Sequence, residues 1–95
     1  MEIKLNKTEK AFSDVIKRDV YTRDCYKLRK QEFKRLPLHI IDLGANLGWF
    51  SRLATKLYPD SKIYAYEMVE RNYLIAKHLI LSGRNNIELH NAIAI

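Results

Sequence analysis

A chain of 95 residues accommodates one domain or part of one. With 47% hydrophobic and 29% charged residues it has a globular balance, which excludes a disordered tract. Its net charge of +6 is uneven: residues 1–38 hold 11 Lys and Arg against 6 acids, and residues 39–95 hold 6 against 5. No apolar run approaches the roughly 20 residues that cross a bilayer, and the first residues carry no apolar segment with a small-residue cleavage site. Cys25 is the one cysteine, so an internal disulfide is excluded and a thiolate zinc site has no second ligand. A cytoplasmic location is the simplest expectation.

Residues 1–37 form a charged lead-in that ends at Leu36-Pro37, where proline disfavours helix in the residue before it. Thr8 is placed to cap a helix running to residue 18, with Phe12, Val15 and Ile16 on one side. Val20-Tyr21-Thr22 reads as a short extended piece, and residues 24–35 as a second helix contacting the core through Tyr26, Leu28, Phe33 and Leu36. Lys27, Arg29, Lys30, Lys34 and Arg35 concentrate positive charge there. Either a solvated helix face or a nucleic-acid patch would account for them, and the nearby aromatics read as core anchors rather than a base-stacking platform.

Residues 38–95 alternate strand and helix. The β-branched run at 38–43 reads as a buried strand. Phe50, Leu53, Ala54 and Leu57 recur at helical spacing, so a helix is expected over 49–58. A strand over 62–66, a helix over 70–82 stopped by Gly83, and a strand from Ile87 to Asn91 follow. Short links in a β-α-β-α-β order predict parallel pairing, hence a three-layer, Rossmann-like α/β unit.

The chemistry concentrates where the first strand meets its helix, in Asp42-Leu43-Gly44-Ala45-Asn46-Leu47-Gly48. Open α/β sheets bind ligands at the carboxyl ends of their strands. Gly44 permits a sharp turn and close approach of a ligand. Gly48 opens a helix whose N-terminal N–H groups suit an anion. Asp42 can accept hydrogen bonds from an ammonium group. Glu67 ends the second strand 19 positions after Gly48, where a carboxylate can accept from both ribose hydroxyls of a nucleoside. A dinucleotide site would want G-x-G-x-x-G, but Asn46 and Trp49 stand where its second and third glycines would be.

The D-x-G-x-N-x-G form instead resembles motif I of class I methyltransferases. Together with Tyr66-Glu67-Met68-Val69-Glu70-Arg71-Asn72-Tyr73, it is similar to the FkbM-type family over residues 38–95. Met68 departs from the proline usual after that glutamate. The resemblance implies S-adenosyl-L-methionine as cofactor. Gly44, Ala45, Asn46 and Gly48 would contact its methionine part, Asp42 its amino group, Glu67 the ribose, Met68 the adenine, and Asn91 and Ala92 the edge of the ring. It implies O-methyl transfer to a small-molecule or glycan acceptor.

Two rival readings are an NAD(P)-type oxidoreductase unit and a non-enzymatic basic module that binds nucleic acid. His39, His78 and His90 are too dispersed for a metal site, and Trp49 is expected to pack on the sheet. In the class I strand order 3-2-1-4-5-7-6, the strand at 38–43 pairs with a fourth strand, and the acceptor-selecting groups follow that strand. The chain therefore reads as the cofactor-binding part of a longer domain with an apolar strand edge, and no catalytic residue is assigned. The 95-residue chain alone is expected to show no turnover. Transfer of a labelled methyl group by the isolated chain would overturn that expectation.

Overall fold

The computed structural model describes residues 2–93. Met1, expected in the lead-in, and Ala94 and Ile95, expected in the second region, lie outside the described residues. The cap of the first helix, α1 (Lys7–Ile16), lies two residues ahead of the expected Thr8. Asn6 caps it, because Asn6-Lys7-Thr8-Glu9 closes a capping box. The Asn6 side chain accepts from the Glu9 N–H at 2.8 Å, and the Glu9 carboxylate accepts from the Asn6 N–H at 3.0 Å.

The helix then widens, with i→i+5 hydrogen bonding over Lys17–Thr22. Val20, Tyr21 and Thr22 are therefore helical and not extended. Ile16, Val20 and Tyr21 are held on one side by packing against a cluster of Leu47, Trp49, Ile75 and Ile80. Phe12 and Val15, expected on the buried side, are exposed.

The second expected helix is absent apart from one 3-10 turn, Leu28–Lys30. Asp24 explains the difference. It is buried, with φ +52°, and its carboxylate accepts from the N–H groups of Leu28 and Arg29, both at 2.7 Å. Such a side-chain cap competes with continuous helix. Burial works to raise the Asp24 carboxyl, but the Arg29 and Leu28 N–H bonds, aided by the charges of Arg29 and Lys30, outweigh it and hold the group below its usual range. Lys27 also takes a left-handed conformation. As a result Leu28 reaches the core, whereas Tyr26, Phe33 and Leu36 stay exposed instead of anchoring it.

The second region follows its pattern more closely. Strand β1 (His39–Leu43), helix α2 (Trp49–Leu57), strand β2 (Lys62–Tyr66), helix α3 (Glu70–Ile75) and strand β3 (Ile87–His90) succeed one another. All pairing is parallel, in the spatial order β1-β2-β3. The chain is an α/β structure. Register aligns Ile40, Ile63 and Ile87 in one row, and this face packs on Leu53 and Ala54 of α2. Leu53, Ala54 and Ile63 are fully buried, and each large aliphatic side chain so placed contributes about 1.5–3 kcal/mol.

The opposite face carries Ile41 and Leu43, which are 65% and 64% exposed. Among the described residues, therefore, the outer layer on that side of the expected three is not formed. α3 continues as a widened turn over Ala76–Ile80, short of residue 82, and Gly83 at φ +78° turns the chain toward β3. The widening brings Ala76, Ile80 and Leu81 inward, while Leu79 is exposed.

That packing sets the role of Gly48. A Cβ on Gly48 would lie 3.1 Å from the Leu81 side chain and 3.3 Å from the Ala76 Cβ. Its missing side chain lets α2 and α3 approach each other. Its φ of +97° adds a second reason for glycine. Gly48→Ala is expected to lower stability by about 2–4 kcal/mol, combining left-handed strain and overpacking. Gly44→Ala, with open space around its Cβ, is expected to lose only about 1–2 kcal/mol. Urea unfolding of both variants checks the difference.

Candidate functional site

The carboxyl ends of β1 and β2 are tied together by main-chain bonds before any side chain acts. The N–H groups of Gly44 and Ala45 both donate to the Tyr66 carbonyl at 2.9 Å, and the Gly48 N–H donates to the Ala45 carbonyl at 3.0 Å. Asn46 is left-handed at φ +56°, a conformation that asparagine tolerates better than most residues. Its N–H donates to Glu67 Oε1 at 2.6 Å, and its side-chain oxygen accepts from Asn72 at 3.3 Å. Glu67 Oε2 accepts from the Val69 N–H at 2.9 Å. Glu67 is only 6% exposed, and these two bonds use half of the roughly four acceptor sites a carboxylate offers.

The loop N–H groups of Gly44, Ala45, Asn46 and Gly48 are thus all satisfied within the protein. Donors without a helical partner belong to the opening turn of α2, because the Gly48 carbonyl takes its bond from Arg52. What Gly44 presents is bare backbone: it is exposed, and nothing lies within 4 Å of where its Cβ would be.

Asp42, near the tip of β1, accepts a 2.6 Å hydrogen bond from the Ser51 hydroxyl. Burial pushes its carboxyl above the usual range; the Ser51 bond opposes the shift and the charge of Glu67 adds to it. Asn91 has a structural part. Its side-chain amide donates to the carbonyls of Glu67 at 2.9 Å and Met68 at 3.1 Å, which fixes the chain after β2 against the chain after β3.

Two clefts open around this constellation. The smaller, about 350 Å³, lies among Leu43, Gly44, Tyr66, Glu67, Met68, Ala92 and Ile93. The larger, about 420 Å³, is lined by residues 42–46 with Trp49 and Phe50, and faced by Ile16, Val20, Tyr26 and Leu28 of the lead-in. Leu43 and Gly44 belong to both, so the clefts adjoin at the end of β1. Both volumes fall in the range of small-molecule sites. The structure brings Asp42, Gly44, Ala45, Asn46, Glu67, Met68 and Ala92 to these clefts. Gly48 and Asn91 line neither, and act through packing and through loop bracing.

Ser51, Asn72 and the lead-in wall had no sequence assignment. Trp49 is buried against the lead-in and not on the sheet: its indole N–H donates to the Ser13 hydroxyl at 3.0 Å, and its ring meets Tyr21 edge-on at 5.6 Å. His39 and His90 stack on Tyr64 and Tyr66. Among the described residues no group of three or more His, Cys, Asp or Glu is gathered to hold a metal, and no helix is long and apolar enough to cross a membrane.

Positive charge is placed elsewhere. Lys17 and Arg52 lie over the Trp49 ring, both at 5.3 Å, while Arg52 and Lys56 lie over Tyr21 at 5.7 and 5.5 Å. Neither cleft has a Lys or Arg in its lining. Compared with models of known protein families, the chain matches none, and no curated protein matches it.

Because the folded Asp42 pKa lies above its unfolded value, the folded state holds that proton more tightly. Its contribution is fully present below the unfolded pKa and is lost as pH rises through the folded pKa. Asp42→Asn, which can still accept from Ser51, is expected to be more stable than the parent at neutral pH. The advantage should vanish in acid, as read by urea unfolding across pH.

Proposed function

We propose that this chain is the cofactor-binding part of a class I, Rossmann-like methyltransferase, one that holds S-adenosyl-L-methionine across the ends of β1 and β2. The observation that carries the reading is electrostatic: Asp42 and Glu67 converge on the glycine loop, and no Lys or Arg lines either cleft. Repulsion from Glu67 adds to burial in raising Asp42, so a cationic ligand beside them lowers the free energy of the site. S-adenosylmethionine brings an ammonium group and a sulfonium.

NAD(P) brings a doubly charged pyrophosphate, which would face two acids with no Lys or Arg in either lining to offset it. That contrast disfavours the oxidoreductase reading. The strand order β1-β2-β3 also agrees with the corresponding part of the class I order. The resemblance of the loop and of Glu67 to the FkbM-type family adds the same cofactor.

The residues divide the work. Gly44 lets the ligand lie against bare backbone. Glu67 uses its remaining acceptor sites for the ribose hydroxyls while holding Asn46 and Val69. Met68 and Ala92 offer apolar surface to the adenine in the smaller cleft. Asp42 faces the ammonium group in the larger. When bound, the cofactor supplies a methyl group activated by positively charged sulfur, and the protein's part is to orient it toward an acceptor. No catalytic residue is assigned.

Calorimetric titration with S-adenosylhomocysteine, beside NADH, tests the proposal. S-adenosylhomocysteine is expected to bind and NADH is not. Glu67→Gln, which keeps one acceptor oxygen, is expected to weaken binding about tenfold, or about 1.4 kcal/mol. Binding of NADH alone, or no binding by a folded chain, would refute it.

A further inference from the structure

The larger cleft has a wall that the glycine loop does not need. Ile16 and Val20 come from the widened end of the first helix, and Tyr26 and Leu28 from the segment that Asp24 bends inward. Tyr26 is 65% exposed, yet its ring stands edge-on to Phe50 with centroids 5.7 Å apart. An exposed tyrosine edge-on to a half-buried phenylalanine over an apolar floor suits a flat ring, which can pack against one face while its edge meets the other. Asp42 is the one ionised group among the described lining residues and is already bonded to Ser51; the other polar side-chain groups are the Asn46 amide, the Tyr26 hydroxyl and the Trp49 indole N–H, the last bonded to Ser13. In a chain with 17 Lys and Arg, none reaches it.

We infer that this cleft is the acceptor chamber, and that it takes an uncharged aromatic molecule bearing a phenolic hydroxyl. The inference rests on the methyltransferase reading for the word acceptor, but the chamber itself rests on its lining. The lining holds no Lys or Arg to bind a phosphorylated or carboxylated acceptor. An aliphatic alcohol would need a strong base, and the lining supplies no lysine or histidine. A phenol, with a pKa of about 10, gives up its proton far more readily. In the transfer the phenolic oxygen bonds to the methyl carbon as the carbon–sulfur bond breaks, its electron pair staying on sulfur. The hydroxyl proton passes to water at the open mouth of the cleft. At the shared border of Leu43 and Gly44 the cofactor would pass from the smaller cleft toward Asp42, beside an acceptor held on the Tyr26 side of the larger, as transfer requires.

The test uses the whole 95-residue chain, with 2-naphthol and 2-naphthyl phosphate as probes followed by their fluorescence. 2-Naphthol is expected to bind at least about tenfold more tightly than its phosphate. Tyr26→Ala, at an exposed position that leaves the core intact, is expected to weaken 2-naphthol about tenfold and to change S-adenosylhomocysteine affinity less than about twofold. Tyr26→Arg is expected to reverse the order of the two probes. No binding of 2-naphthol, equal binding of the phosphate, or an unchanged affinity in Tyr26→Ala would overturn the proposal. Binding of 2-naphthol without S-adenosylhomocysteine would leave the chamber standing and remove the cofactor reading instead.

Discussion

Everything at the ligand-facing end of this sheet depends on the buried Glu67 carboxylate. One oxygen takes the Asn46 N–H and the other the Val69 N–H, so a single side chain joins the loop after β1 to the segment leading into α3. Hydrogen bonds to a charged acceptor contribute about 1.5–3 kcal/mol each. Here one of them is to Asn46, which is held in a left-handed conformation beside the exposed Gly44. With Gly44 and Ala45 bonded to the Tyr66 carbonyl, the loop backbone is tied to the end of β2 without a ligand. The same carboxylate repels Asp42, and the site therefore carries an unbalanced negative charge within a strongly basic protein.

The lead-in is where that basic character is resolved. It does not stand apart as a charged arm. Ile3, Leu5, Ile16, Val20 and Tyr21 pack on the Trp49 cluster, and the Trp49 indole is bonded to Ser13. On the outside, Arg71 clamps Glu9 at 2.7 Å and the Lys4 carbonyl at 2.7 Å. The Arg71 bond, aided by the Asn6 N–H, holds the Glu9 carboxyl at about 2. Lys17, Arg52 and Lys56 lie over aromatic rings, where their charge is partly offset by the π faces. Cations are thus spent on covering α2, and the clefts keep the negative potential of Asp42 and Glu67. One fold accommodates both because the two sets of charges occupy different surfaces.

What could be read in advance followed from local rules. The strands were legible because β-branched runs bounded by Pro37, Gly44 and Pro59 have few alternatives, and α2 because its apolar stripe repeats at helical spacing. The glycine loop was legible as a turn with an acid at its border. The lead-in departs from its pattern where a side chain bonds to backbone nearby: Asn6 moves the cap by two residues, and Asp24 replaces an entire helix with one turn. Hydrophobic spacing carries no trace of such bonds. Gly48 was assigned to a ligand, but its nearest neighbour, Leu81, is 33 positions away, a contact that no local pattern encodes.

The sequence by itself determined the α/β alternation, the parallel pairing and the candidate set Asp42, Gly44, Asn46 and Glu67, because each depends on residues adjacent in the chain. Only the tertiary structure decided what those residues do to one another. It bonded Glu67 to the loop backbone and Asp42 to Ser51, and it assigned Asn91 to bracing the chain ends. It also brought Ile16, Val20, Tyr26 and Leu28 across to wall the larger cleft. The physical reason is burial: a carboxylate withdrawn from water must find donors within reach, and an apolar wall must find a facing surface. Both are satisfied by neighbours in space, whatever their separation along the chain.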